Sequence, residues 1–189
     1  MNPNHWPDIE QELTALFERQ WYTNHGVLAR RFEHELEQSL GVQHAVCVVN
    51  PAIGLAMALE CFRGGALLLK PAQLQATAHN TGQACVLDAT HLADWPDVQH
   101  HVHVLKQQRA QPDPPWLAVF SFENHHEVNA QGAACIATQC DHTAELLRNI
   151  RSSYGVRKPC EVVKTANGRM SEAQAAFGVV SLKWTQSSL

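Results

Sequence analysis

Apolar residues recur at helical spacing through the first 40 residues. Ile9, Leu13, Leu16 and Phe17 mark one helix face, and Pro7-Asp8 opens that helix. After a Thr23-Asn-His-Gly26 turn, Val27, Arg31, Phe32, Leu36 and Leu40 outline a second amphipathic helix that Gly41 ends. The pattern then changes. Ala45-Val-Cys-Val-Val49 is a short apolar run rich in β-branched residues, as in a buried strand. Residues 53–62 predict a helix, 66–69 a strand and 72–81 a helix, and Ala84-Cys-Val-Leu-Asp88 predicts a third strand. Such alternation predicts the α/β class, with a mostly parallel sheet flanked by helices.

Residues 89–115 break that rhythm. Val102-His-Val-Leu105 suits a short strand, and Gln111-Pro-Asp-Pro-Pro115 is a connector that excludes regular structure. Trp116-Leu-Ala-Val-Phe-Ser-Phe122 and residues 133–138 predict two more strands. A helix over 141–151 follows, with Asp141 as its N-cap and Leu146, Leu147 and Ile150 facing inward. The last helix is predicted over 171–182, opening on Ser171. There is no internal repeat, so residues 1–189 are expected to form a single domain.

Composition narrows the function classes. Fourteen Lys+Arg against eighteen Asp+Glu give a net charge of −4, which argues against a nucleic-acid binder relying on a broad basic face. No apolar run approaches the length of a membrane span, and the N-terminus lacks a basic start followed by an apolar segment. None of the six cysteines stands in a CxxC pair, and several lie inside apolar runs. A cytoplasmic protein with reduced thiols is the expectation, with neither membrane nor nucleic acid as partner.

Four segments resemble, in order, the DegT/DnrJ/StrS family of sugar-nucleotide aminotransferases. They are Trp21-Tyr-Thr-Asn-His-Gly26 with Arg31-Phe-Glu33 and Leu40-Gly-Val42; Pro71 with Ala76-Thr-Ala-His79, leading to Leu87-Asp88; Ser121-Phe122; and Gly168-Arg-Met-Ser-Glu-Ala-Gln-Ala-Ala-Phe-Gly178. The last is the most specific, and residues 92–115 match nothing in the family. The resemblance implies the large domain of the type I pyridoxal-phosphate transferase fold, here truncated, without the small C-terminal domain. It also implies a homodimer, or pairing with a full-length relative, and a nucleotide-sugar ligand.

That chemistry makes definite demands: a lysine amine for the Schiff base, a carboxylate for the pyridinium nitrogen, and a helix N-terminus for the phosphate. In the resemblance the lysine position falls on His126, in Ser121-Phe-Glu-Asn-His-His-Glu127. Imidazole cannot form the imine. The phosphate turn falls on Asn50-Pro51-Ala52, where proline removes a backbone donor. The segment that supplies the ring carboxylate is missing, and the glycine pair after the lysine segment reads Gly132-Ala-Ala134. Ser121 is retained. Ser121 and Asn50 are therefore the vestigial cofactor-binding candidates, and His126 is the catalytic candidate.

The expectation is a degenerate, non-catalytic homologue with a binding or dimerisation role and no cofactor. The alternative is a pyridoxal- or pyridoxamine-phosphate enzyme of nucleotide-sugar biosynthesis. One branch of the family, the keto-deoxysugar dehydratases, carries histidine at the lysine position as general base, and His125-His126 resembles its pair. A second cluster, His100, His101 and His103, lies across the connector from His125, Glu123 and Glu127, and a metal reading of the two weighs less than a solvated histidine-rich loop. No metal is therefore assigned. Asp88 ends a strand, where α/β sheets place ligand-binding groups, but the resemblance implies a structural turn residue and favours that role. Arg169 and Glu172 lie in the strongest motif, where a substrate- or dimer-facing role and a helix-capping role fit equally.

Overall fold

The computed structural model describes residues 5–23, 25–61, 66–69, 84–86, 116–124, 127–152 and 166–187; for 66–69, 84–86 and Trp116 it describes the backbone alone. Helix α1 (Trp6–Arg19) has Pro7 in its first turn, and α2 (Val27–Leu40) ends at Gly41, whose φ of 61° suits a residue without a side chain. Phe17 and Val27, both expected on inner faces, are 63% and 45% exposed. Each lies at a helix end, where the apolar stripe runs past the neighbouring helix. Leu28, Ala29, Phe32, Leu36 and Leu40 face the core instead of Val27.

Strands β1 (His44–Val48), β2 (Ala66–Leu69), β3 (Ala84–Val86), β4 (Trp116–Phe122) and β5 (Ala133–Thr138) form one sheet in the order β1-β5-β4-β2-β3. Strand β2 runs parallel to β3 and β4, and β5 runs antiparallel to both β4 and β1. Four strands thus point one way and β5 opposes them, which agrees with the expected mostly parallel sheet.

Helices cover both faces. Alternation along β1 and β5 sends Ala45, Cys47, Ala133, Cys135 and Ala137 into one apolar cluster, with α1, α2 and α5 (Glu172–Gln186). Val46, Val48, Ala134 and Ile136 enter the other, with α3 (Pro51–Cys61) and α4 (Asp141–Ser152). Helix α5 lies against α2 because Gly178 has no side chain: a Cβ there would fall 2.6 Å from the Phe32 ring. Phe32 in turn meets Phe122 edge to face, with centroids 5.3 Å apart.

Among the described strands, β1 has β5 as its sole ladder partner, and side chains take its outward groups. The N–H groups of Ala45 and Cys47 donate to Glu37 (3.1 Å) and Glu33 (2.9 Å) of α2. Arg151 of α4 donates to both Glu33 and the Cys47 carbonyl. Two residues along a strand span about 6.6 Å, and one helical turn from Glu33 to Glu37 about 6 Å, so the spacings match.

Two further expectations meet the structure at α4. The N-cap is Cys140 rather than Asp141: the Cys140 carbonyl accepts from Ala144 N–H (2.9 Å), and Asp141 is the first helical residue. Asp141 instead accepts from Gln43 and His44 at the start of β1. Leu147 and Ile150 are buried and Leu146 is half-buried, as the periodicity requires. Cys47, Cys61 and Cys135 are buried thiols and Cys140 is half-exposed. The helix expected over 72–81, the strand over 102–105, Asp88 and the His100/His101/His103 cluster lie outside the described residues.

Candidate functional site

The fold brings the sequence candidates to one end of the sheet. Asn50 follows β1 and starts α3, while Ser121 lies near the end of β4, opposite Ala134 of β5. Strand alternation puts Ser121 on the face that α3 covers, and it is almost buried. Gly54 lets the first turn of α3 sit close to that sheet, since a Cβ there would lie 3.2 Å from Val48 and 3.5 Å from Val119. His125 and His126 lie outside the described residues, so the catalytic candidate has no described geometry.

A phosphate held at a helix N-terminus needs several open backbone N–H groups. Here the first turn of α3 is closed by its own chain. Asn50 Oδ1 accepts from Ile53 N–H (2.8 Å), and the Asn50 carbonyl accepts from Gly54 N–H (3.0 Å). Pro51 has no N–H to offer. Asn50 therefore acts as a helix N-cap.

The segment Gly168–Gly178, the most specific of the four, is a structural hub. Ser171 caps α5 in a reciprocal box: its hydroxyl accepts from Gln174 N–H (3.1 Å), and the Gln174 side chain accepts from Ser171 N–H (3.1 Å). The Gln174 amide also donates to the Val49 carbonyl (3.0 Å) and, more weakly, to the Gln131 carbonyl (3.4 Å). Gln131 and Gly132, at φ 54° and 75°, turn the chain into β5, so Gln174 ties β1 to that turn. Val49 N–H donates to the Gly168 carbonyl (2.9 Å), and Arg169 bridges Val48.

Glu172 is 2% exposed, and its carboxylate accepts from Leu28 N–H (2.8 Å) and Ala29 N–H (3.1 Å) in the first turn of α2. Gly26 makes room for it, since a Cβ there would overlap the carboxylate at 2.3 Å. The Glu172 N–H donates to the Tyr22 carbonyl (3.0 Å), which closes the loop between α1 and α2. Of the two roles open to Arg169 and Glu172, the geometry gives Glu172 the capping one. It caps α2 across the fold as well as lying in the first turn of α5. Arg169 bonds Asn167 (3.1 Å) and the Ser152 carbonyl (3.4 Å).

Sequence reasoning missed the open edge of β1. There α2 and α4 border a cleft of about 840 Å³ lined by Trp21, His25, Arg30, His44 and Glu145 among others. Arg30 lies over the Trp21 ring at 5.9 Å. The Ser152 hydroxyl donates to the Arg148 carbonyl (2.8 Å), so it accepts from His25 Nε2 (2.9 Å). The Glu33/Glu37 spacing on the helix before β1 is the signal in the sequence that matches this edge, and the sequence reading did not use it. Among the described residues, no group of three or more His, Cys, Asp or Glu is placed to hold a metal ion. No described helix is long and apolar enough to cross a membrane.

Comparison with known proteins adds one sequence match and many fold matches. The profile of the DegT/DnrJ/EryC1/StrS aminotransferase family matches residues 4–81. No curated protein matches the chain. Among solved structures, DesI crystallised with its TDP-sugar product is similar at a TM-score of 0.70 and 18% identity, over 96% of this chain and 59% of DesI. Helicobacter pylori PseC, an aminotransferase of pseudoaminic acid biosynthesis, is similar at 0.69 and 16%, over 95% of this chain and 63% of PseC. GDP-4-keto-6-deoxymannose-3-dehydratase with a trapped PLP-glutamate geminal diamine is similar at 0.65 and 11%, over 97% and 66%. The chain spans less than two thirds of each of these three structures. At such identities the likeness establishes the fold, that of the pyridoxal-phosphate aminotransferases. Over residues 4–81 the chain is thus similar in sequence to the DegT/DnrJ/EryC1/StrS aminotransferases, and over nearly its whole length it has the fold of DesI and PseC.

Proposed function

We propose that this chain is a non-catalytic relative of the sugar-nucleotide aminotransferases, a cytoplasmic protein that keeps the fold as a binding or pairing unit and holds no cofactor. The closed first turn of α3 carries this reading. With the Ile53 N–H capped by Asn50 Oδ1, and Pro51 lacking one, the turn offers a cofactor phosphate fewer backbone donors than an uncapped helix start. That shortage of donors supports a chain that holds no pyridoxal phosphate. His126, at the position where the resemblance implies a lysine, supports the same reading, because an imidazole cannot carry the Schiff base. The partner we infer is a second copy of this chain or a full-length relative, with a nucleotide-sugar as ligand.

A second reading keeps pyridoxal or pyridoxamine phosphate and makes His126 a general base in nucleotide-sugar chemistry. The fold likeness to the dehydratase and the His125-His126 pair favour it.

One titration separates the two. Pyridoxal phosphate and pyridoxamine phosphate are added separately to the purified protein while absorbance and melting temperature are followed. The pairing reading expects no saturable change with either and no borohydride-trapped adduct. Saturable binding of pyridoxamine phosphate with a rise in melting temperature would overturn it in favour of the second reading. Light scattering tests the pairing itself, since a monomer at all concentrations removes the self-pairing half.

A further inference from the structure

Cys47 and Cys135 face each other directly across β1 and β5. The backbone decides which kind of pair they form. Cys47 N–H donates to Glu33 and its carbonyl accepts from Arg151, so both groups turn away from β5. In an antiparallel ladder this leaves a non-hydrogen-bonded pair, whose Cα atoms stand about 4.5 Å apart with close side chains. A disulfide accepts Cα separations of about 4.4–6.8 Å. Both side chains enter the cluster under α2 and α5. Their sulfurs also interact. Burial is the first cause that pushes the Cys47 thiol well up, and a hydrogen bond and charge from Cys135 come next.

We propose that Cys47 and Cys135 form a latent dithiol that a peroxide oxidises to a disulfide, fastening the edge strand β1 to β5. The electrons balance with hydrogen peroxide as oxidant. One sulfur, as thiolate, attacks a peroxide oxygen; the O–O bond breaks, one water leaves and a sulfenic acid forms. The second sulfur attacks the first, the S–O bond breaks, the S–S bond forms and a second water leaves. Two thiols lose two electrons and one peroxide becomes two waters.

Burial sets the gate. Both side chains are fully buried, and a thiol held above its ordinary range resists ionisation. The closed fold therefore shields the pair, and reaction passes through openings that part α2 from β1. The link would join positions 88 residues apart (135 − 47), long enough to restrict the unfolded chain strongly.

The test uses the full chain carrying Cys140→Ser, which removes the half-exposed thiol. Folded protein is treated with hydrogen peroxide, quenched, alkylated in denaturant, digested and mapped without reductant. The expected product is a Cys47–Cys135 peptide pair lighter by two hydrogens. Titratable thiols fall from five to three (six in the chain, less Cys140). The melting temperature rises, and dithiothreitol reverses the rise. Cys47→Ser and Cys135→Ser, with the alanine versions as second variants, lose both the linked pair and the rise. Three outcomes overturn the proposal: links to other cysteines in its place, thiols that stay reduced at peroxide levels that oxidise a reference dithiol peptide, or a link that forms only in denaturant.

Discussion

The Glu172 carboxylate accepts the backbone N–H of Leu28 at 2.8 Å, so the first residue of α5 caps the first turn of α2. One buried anion serves two helix starts, and the positive ends of both dipoles favour it there. Replacing it leaves the Leu28 and Ala29 donors without an acceptor inside the fold. Glu172→Ala is expected to lower stability by about 2–3 kcal/mol, the scale of buried hydrogen bonds to a charged group. Glu172→Gln keeps the shape and one acceptor, so it loses less. Urea denaturation of the three proteins checks the order.

The buried Arg151–Glu33 pair sets up a second expectation. Arg151→Met strands the Glu33 carboxylate beside β1 and should cost about 3–5 kcal/mol. Removing both charges, with Glu33→Gln added, should recover part of that loss. A double-mutant cycle in urea measures the recovery, and a double-variant loss equal to the sum of the two single losses would show that the pair is not coupled.

Gly178→Ala tests the α2–α5 contact. Its added methyl meets the Phe32 ring at 2.6 Å, and overpacking of this kind costs about 1–3 kcal/mol. Phe32→Leu in the same chain should relieve the clash. Thermal melts of the single and double variants decide it, since a milder double variant is the signature of steric conflict.

Among the described cysteines, Cys140 is the thiol expected to react first. The Thr143 hydroxyl, hydrogen-bonded to it, is the first cause holding its pKa below the ordinary thiol value, and the Thr143 and His142 backbones add to this. At a given pH it is therefore more ionised than an ordinary cysteine. Iodoacetamide should label Cys140 ahead of Cys47 and Cys135, and its rate should reach half-maximum at lower pH than a model thiol. Thr143→Ala should move that midpoint up.

Much of this fold is legible in the sequence, because apolar periodicity reports which face of an element is buried. The strand over 133–138 and the box opened by Ser171 both follow from local pattern. The misses have a common cause. Periodicity does not say what lies opposite a face, so Phe17 and Val27 were placed inward although α1 and α2 leave them exposed. Composition likewise favoured Asp141 as the cap of α4, while His44 and Gln43 draw its carboxylate towards β1. At Asn50, read from the sequence as a vestigial cofactor-binding residue, the side chain caps α3, a role its residue type suits and the sequence reading did not assign. The roles of Glu33, Glu37 and Glu172 depend on partners up to 144 positions away, which no local window contains.

The covering of β1 by Glu33 and Glu37 reaches beyond this molecule. An open strand edge is a template on which another chain can lay down a strand, and such growth has no natural end. Here the Ala45 and Cys47 donors are already held by carboxylates, and Arg151 holds the Cys47 carbonyl. A visiting strand would have to break charged hydrogen bonds before forming its own. Copies of this chain that meet in solution are thereby steered away from runaway β-stacking, and association is left to surfaces such as Trp21 and Tyr22, which stand half exposed outside the sheet.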